Sequence, residues 1–106
     1  MTTVVYPGTF DPFTLGHLDV LKRAARLFDR VILAVAESEK KKTLFTLEER
    51  IALAQASCEE EQGLENVTVE GFRGLLCDFA KARGVTVSVR GARAAVSYTH
   101  LRVHET

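Results

Sequence analysis

The sequence predicts an α/β protein in which a parallel β-sheet carries helices on both faces. Four short apolar or β-branched runs alternate with three segments of helical periodicity along the 106 residues. One of these runs, residues 31–36, is apolar throughout, as expected for a parallel strand that is covered on both faces. Right-handed crossovers join such strands, and we expect the strand order 3-2-1-4.

Composition and charge are those of a soluble globular protein with one domain. Hydrophobic residues make up 46% of the chain, and 14 Lys and Arg residues balance 14 Asp and Glu residues, so no nucleic-acid partner is expected. No signal peptide or membrane span is recognised, because no apolar run is long enough. Cys58 and Cys77 fall on apolar positions of predicted helices, which predicts buried free thiols in a cytoplasmic protein.

The first strand and the first helix are predicted within residues 2–30. A β-branched run over residues 2–6 predicts a buried strand. The helix is predicted to begin after Thr14, a suitable N-cap, and to end at residues 29–30. Its apolar positions recur at helical intervals at Leu18, Leu21, Ala25 and Phe28.

A lysine-rich loop and a second helix follow the strand of residues 31–36. Thr46 and Glu49 form a capping box at the start of this helix. The apolar stripe of the helix consists of Leu47, Ile51, Ala54 and Cys58. We therefore expect Glu48, Glu49 and Arg50 to lie at the cap and the surface, without a catalytic role.

The second half of the chain supplies a third strand (residues 67–70), a loop (71–74), a third helix and a fourth strand (85–89). The third helix is predicted to begin at Leu75 and to end at Gly84, a natural C-cap. With the order 3-2-1-4, two helices cover one face of the sheet and the third helix alone covers the other. We therefore expect an exposed apolar area near strands 1 and 4.

The loop between the first strand and the first helix has the features of an anion-binding site. Gly8 allows the backbone to approach a ligand, and Thr9 offers a hydroxyl group and an N–H at the end of the strand. His17 falls in the first helical turn, where N–H groups and the helix dipole attract phosphate. The alternative is an ordinary loop with a solvent-facing histidine, and the spacing alone leaves both interpretations open.

Two basic segments are predicted at the same edge of the sheet. In the order 3-2-1-4, strands 1 and 4 adjoin at the topological switch point, where ligands bind in such sheets. Strand 4 leads into Arg90 and Arg93, which flank Gly91 and suit bidentate phosphate binding, although such arginines also form surface ion pairs. Lysines 40–42 follow strand 2, and the alternatives for them are a phosphate contact or a solvated loop.

Several segments resemble a known family. Tyr6-Pro-Gly-Thr-Phe-Asp-Pro12 and Thr14-Leu-Gly-His17 resemble the opening signature of the nucleotidyltransferases with a (His/Thr)-x-Gly-His motif. Residues 46–50 and 90–93 favour the bacterial phosphopantetheine adenylyltransferases over other cytidylyl- and adenylyltransferases. The resemblance implies a Rossmann-like fold and adenylyl transfer from ATP to 4′-phosphopantetheine, which gives dephospho-coenzyme A and pyrophosphate.

The resemblance also implies which residues form the site. Catalysis is expected from His17, Thr9 and Lys41, and Lys42 is the alternative to Lys41. Contacts to the pantetheine substrate are expected from Thr9, Lys41, Leu76 and Arg90. Contacts to ATP are expected from Thr9, Phe10, His17, Gly91, Ala92 and Arg93. Mg²⁺ is expected to enter with ATP, and full-length members are expected to form homo-oligomers.

The resemblance covers about residues 3–94 and then ends. Leu101 stands where the family has a glutamate that contacts ATP. We predict a partial nucleotidyltransferase domain over residues 1–94, incomplete at its C-terminus, and a non-native or disordered tail over residues 95–106. His100 and His104 lack an apparent third ligand, so no metal site is predicted. An inactive nucleotide-fold fragment therefore remains the alternative to an active enzyme.

Overall fold

The computed structural model describes residues 2–37 and 43–89, together with the backbone of residues 95–97. In chain order the elements are β1 (Thr3–Gly8), α1 (Leu15–Leu27), β2 (Arg30–Ala36), α2 (Leu47–Glu59), β3 (Val67–Phe72), α3 (Leu76–Ala82), β4 (Val87–Val89) and β5 (Ala95–Ser97). Strands and helices alternate from β1 to β4, as the sequence predicts.

The strands form one sheet in the order β3-β2-β1-β4-β5. β1 pairs in parallel with β2 and β4, and β2 pairs in parallel with β3. The predicted parallel sheet and its order 3-2-1-4 are therefore confirmed. β5 runs antiparallel to β4 and was not predicted. It lies at the start of the segment expected to be a tail, and residues 98–106 lie outside the described part of the chain.

Neighbouring residues of β1 point to opposite faces of the sheet, as the pleat requires. Val4 and Tyr6 pack against α1 and α2, in a cluster that includes Leu21, Ala24, Ala25 and Ala54. Val5 points to the other face and packs in a cluster with Ile32, Ala34, Leu76, Ala80 and Val85. The helices thus lie on both faces, and β1 is buried between two apolar layers.

The expected exposed apolar area near strands 1 and 4 is not found on the described residues of these strands. Val5 has no exposed surface, and Ser88, its partner across the β1–β4 pair, is 5% exposed. The prediction was wrong because α3 is not the only segment that packs against the face of the sheet to which Val5 points. Val85, in the connection between α3 and β4, packs into the same cluster as Val5.

The helix caps are predicted well, and the element ends less well. Thr14 and Thr46 are the N-caps of α1 and α2, and Gly84 follows α3 with a φ of +69°. α1 ends at Leu27, before the predicted residues 29–30. β3 continues to Phe72, because the predicted loop begins with residues that still pair with β2.

The cysteines are free, as predicted, but each is half-buried rather than fully buried. Burial, together with the nearby Glu59 carboxylate, raises the pKa of the Cys58 thiol. No helix within the described ranges is long and apolar enough to cross a lipid bilayer.

Candidate active site

The strands that lead to the predicted site residues end at one edge of the sheet. Parallel pairing places the carboxyl ends of β1, β2 and β4 together. Thr9 and Phe10 directly follow β1. β2 ends at Ala36, ahead of lysines 40–42, and β4 ends at Val89, ahead of residues 90–93. The predicted site residues Lys41, Arg90, Gly91, Ala92 and Arg93 themselves lie outside the described residues.

Phe10 occupies a left-handed backbone conformation with a φ of +50°. A side chain in this region costs roughly 1–3 kcal/mol of strain, so packing has to offset it. The Phe10 ring is 3% exposed and lies over Gly8. A Cβ at Gly8 would lie 2.8 Å from the Phe10 Cζ atom. The glycine is therefore needed because the chain turns back over its own last strand residue.

Aromatic rings surround the imidazole of His17. The His17 ring centroid lies 4.9 Å from that of Phe10, edge to face, and 5.6 Å from that of Phe13. Tyr6 extends the cluster, with its ring centroid 5.2 Å from that of Phe10. Rings at these separations attract one another through their quadrupoles. The conformation of the β1–α1 loop thereby determines where the imidazole lies.

Thr14 and His17 form a reciprocal cap at the start of α1. The His17 N–H donates to the Thr14 Oγ1 over 3.3 Å, and the Thr14 N–H donates to the His17 Nδ1 over 3.0 Å. Partial burial lowers the pKa of His17 from its ordinary 6.5. Burial therefore favours the neutral imidazole, and the Thr14 bond to Nδ1 makes Nε2 the ring nitrogen left to donate to a ligand.

Arg50 lies beneath this loop and was wrongly expected at the surface. It is 2% exposed. Its Nη1 donates to the carbonyl oxygens of Thr9 and Ala36, each over 2.8 Å, and its Nε donates to that of Phe45 over 3.2 Å. The helical spacing could have predicted that Arg50 is buried, because Arg50 follows Leu47 by three residues and falls on the apolar stripe of α2.

Asp11 also connects the loops and received no predicted role. Its Oδ2 accepts from the Leu44 N–H over 2.6 Å, and its Oδ1 accepts from the Phe45 N–H over 2.9 Å. The bonds join the β1–α1 loop to the segment just before α2. No local pattern in the sequence points to them, since the partners are more than thirty residues apart.

Leu76, the predicted contact for the pantetheine arm, is the first residue of α3 and is 8% exposed. It packs in the apolar cluster with Val5 and Ile32. Its neighbour Leu75 is 64% exposed. The structure therefore shows Leu76 as a core residue close to the carboxyl end of the sheet, and its proposed contact with substrate stays a prediction.

An ion pair lies at the same edge of the sheet. Glu37, directly after β2, pairs with Arg73, directly after β3. The Glu37 N–H donates to the Phe72 carbonyl over 2.9 Å, which continues the strand pairing by one residue. Arg73 therefore compensates the negative charge of a carboxylate near the site. Within residues 2–37 and 43–89, no group of three or more His, Cys, Asp or Glu residues is arranged to hold a metal ion.

The β1–α1 loop therefore lies at the switch point of the sheet in an α/β protein. A family model described as cytidylyltransferase-like matches residues 5–105, and the chain belongs to that family. Phosphopantetheine adenylyltransferase from Campylobacter curvus (strain 525.92) is 51% identical to it over 96 residues. This match confirms the predicted resemblance. It covers 91% of the chain and 60% of that relative, so the chain spans well under two thirds of the relative's length.

A solved structure shares the fold. The lipopolysaccharide core biosynthesis protein from Thermoplasma volcanium GSS1 is similar, with a TM-score of 0.64 and 24% identity. The match covers 83% of this chain and 72% of that one. The predicted Rossmann-like fold is confirmed.

Proposed function

We propose that this chain is part of an enzyme that transfers the adenylyl group of ATP to 4′-phosphopantetheine in coenzyme A biosynthesis, in the cytoplasm. The 51% identity to a phosphopantetheine adenylyltransferase supports this substrate pair. One structural observation carries the proposal. The His17 imidazole is held by two aromatic rings and by the Thr14 N–H, which leaves Nε2–H as a fixed neutral donor at the start of a helix.

The proposed reaction needs no nucleophile from the protein. A phosphate oxygen of 4′-phosphopantetheine attacks the α-phosphorus of ATP and forms a new P–O bond. The bond from the α-phosphorus to the bridging oxygen breaks, and the electron pair leaves with pyrophosphate. The protein contributes by aligning the two phosphates and by donating hydrogen bonds to the oxygens on which charge develops.

The predicted site residues have distinct proposed roles in that step, including those that lie outside the described ranges. His17 Nε2–H, the Thr9 hydroxyl and the Phe10 N–H hold the α-phosphate of ATP. Leu76 contacts the pantetheine arm. Lys41 and Arg90 hold the incoming phosphate, and the segment Gly91, Ala92 and Arg93 contacts ATP. The assignments of Leu76, Lys41, Arg90 and residues 91–93 rest on the family resemblance.

Mg²⁺ is proposed to enter as part of the MgATP substrate. Asp11, the acidic residue of the β1–α1 loop, accepts hydrogen bonds from the Leu44 and Phe45 N–H groups with its two carboxylate oxygens. That use favours a metal carried by the nucleotide over one held by this carboxylate. The family resemblance also favours a homo-oligomer for the full-length protein.

A coupled assay of pyrophosphate release tests the proposal. The purified chain is mixed with ATP, Mg²⁺ and 4′-phosphopantetheine, beside the variants His17→Ala and Asp19→Ala. Removing one donor to the transition state is expected to lower kcat about 10²–10³-fold, with a much smaller change in ATP affinity. Asp19 is exposed on the same helix, so its variant is expected to retain the parent rate.

Two outcomes would contradict the proposal. Turnover with CTP but not with ATP would favour another cytidylyltransferase of the family. A folded chain that neither turns over nor binds ATP would favour the interpretation as an inactive nucleotide-fold fragment. Equal losses of kcat and ATP affinity in His17→Ala would argue against the transition-state role of His17.

A further inference from the structure

Arg50 is a charged side chain enclosed within the protein, in α2, and it is 2% exposed. Enclosing a guanidinium is costly unless hydrogen bonds compensate for the lost water. The bonds described above supply three main-chain carbonyl oxygens. Among the described residues no carboxylate is a hydrogen-bond partner of Arg50. The positive charge is thus not neutralised by an acid within that part of the chain.

The bond to Thr9 determines the orientation of one peptide group. In a trans peptide the C=O and the following N–H point in opposite directions. Because the Thr9 carbonyl points toward Arg50, the Phe10 N–H points away from it. Within the described part of the chain, no hydrogen bond uses the Phe10 N–H. An N–H at the end of a strand, with no partner among the described residues and above an enclosed positive charge, suits a phosphate oxygen.

The same guanidinium holds both ends of the connection between β2 and α2. Ala36 is the last residue of β2, and Phe45 lies two residues before α2 begins. Both carbonyls bind Arg50, so the two ends of the connection are held to the Thr9 loop at one point. Asp11 reinforces this junction through its bond to the Phe45 N–H.

We propose that Arg50 is a positioning residue, which aims the Phe10 N–H at the phosphates of the nucleotide and holds Ala36 and Phe45 together with Thr9 at one point. The inference rests on the proposed function for the identity of the ligand. Arg50 acts through the Thr9–Phe10 peptide and does not itself touch the substrate. Arginine is needed because its planar fork reaches carbonyls in different directions, which a lysine ammonium does less well.

Titration calorimetry with ATP and with inorganic pyrophosphate tests the proposal on the whole chain. The variants are Arg50→Lys, which keeps the charge, and Arg50→Met, which keeps the length of the side chain. Arg23→Lys and Arg23→Met are the matched controls, since the Arg23 side chain is 68% exposed on α1. We expect Kd for both ligands to rise at least about tenfold in Arg50→Lys, and to stay unchanged in the Arg23 variants.

Thermal unfolding separates positioning from stability. A purely structural role would lower Tm and leave the Kd of the folded Arg50→Lys protein at the parent value, which would overturn the proposal. A parent chain that binds neither ATP nor pyrophosphate would instead overturn the proposed function, and this inference with it. The two failures are therefore distinguishable.

A measurement on the unaltered chain covers the case in which neither Arg50 variant folds. With ¹⁵N-labelled phenylalanine, the Phe10 amide resonance is followed as pyrophosphate is added. The proposal expects the Phe10 amide to shift more than those of Phe28 and Phe79, which lie at or in helices away from the β1–α1 loop. Binding without a shift of the Phe10 amide would overturn the proposal.

Discussion

The Thr14 main-chain N–H donates to the Nδ1 atom of His17 over 3.0 Å. The bond requires a lone pair on Nδ1, so the neutral ring carries its hydrogen on Nε2. The Thr14 hydroxyl accepts from the His17 N–H in return. One pair of residues thereby caps the helix and selects the tautomer of the side chain proposed to bind phosphate.

The tautomer and the pKa of His17 can be measured directly. We expect the Nε2–H tautomer at pH 7.5 and a pKa below the ordinary 6.5, because partial burial disfavours the imidazolium. Proton–nitrogen correlation spectra of the ring, recorded across the titration, report both quantities. The same chain in concentrated urea supplies the reference pKa. A folded-state pKa equal to or above the unfolded value would contradict the expectation.

The depressed pKa of His17 makes stability depend on pH. Between the folded and unfolded pKa values, the unfolded chain binds more protons, so acidification favours unfolding. The contribution is complete above the unfolded pKa, about 6.5, and is lost as the pH falls through the folded pKa. Urea unfolding of the parent and of His17→Gln between pH 7.5 and 5 isolates the contribution of His17 to the free energy of unfolding.

His17→Gln is the suitable variant because glutamine at this position of a capping box can still accept from the Thr14 N–H. The parent is expected to lose more unfolding free energy than the variant as the pH decreases. Parallel curves for the two proteins would show that His17 does not contribute to the pH dependence.

Gly8 and Gly16 are expected to respond in opposite ways to alanine. The Cβ at residue 8 would overlap the Phe10 ring, and such overpacking costs about 1–3 kcal/mol. At residue 16 the nearest atom is the Thr14 Oγ1 at 3.6 Å, and alanine in a helix gains up to about 1 kcal/mol over glycine. Urea unfolding of Gly8→Ala and Gly16→Ala measures the change in the free energy of unfolding for each variant. Equal effects would contradict the close contact over Gly8.

Leu76 and Leu75 provide a second matched pair. Leu76→Ala removes a side chain that is 8% exposed and is expected to lower the free energy of unfolding by about 2–5 kcal/mol. Leu75→Ala alters a side chain that is 64% exposed and is expected to change it by less than about 0.5 kcal/mol. Chemical denaturation of the two variants measures these changes, and a large loss in Leu75→Ala would contradict the exposed position of the Leu75 side chain.

Local signals in the sequence were sufficient for the parallel strands and the three helices, but not for β5. The apolar run at residues 31–36 becomes the buried strand β2, and Thr14 and Thr46 cap the two helices as expected. Capping depends on residues three positions apart, which a sequence displays directly. The ends of α1 and β3 were placed less accurately, because they depend on pairing and packing with distant segments.

The connections beneath the site were missed for the same reason. Arg50 occupies an apolar position of α2, and a charged residue there was assigned to the surface. Its burial is explained by the hydrogen bonds that it donates to the Thr9, Ala36 and Phe45 carbonyls, which come close to it only in the folded protein. His17 is a candidate from the sequence because its motif is contiguous, whereas the contacts of Asp11 and Arg50 span long separations.

The contacts of Arg50 also bear on the order of folding. Thr9 precedes Arg50 by 41 residues and Ala36 precedes it by 14, whereas the caps of α1 and α2 are local. Closing long loops is slower than forming a helical turn. The two helices are therefore expected to acquire their ends early, and the β1–α1 loop its final shape only after β1 and β2 have paired and α2 has docked. Hydrogen-exchange labelling during refolding would then protect the helical amides before those of Leu44 and Phe45, which donate to Asp11 of the loop.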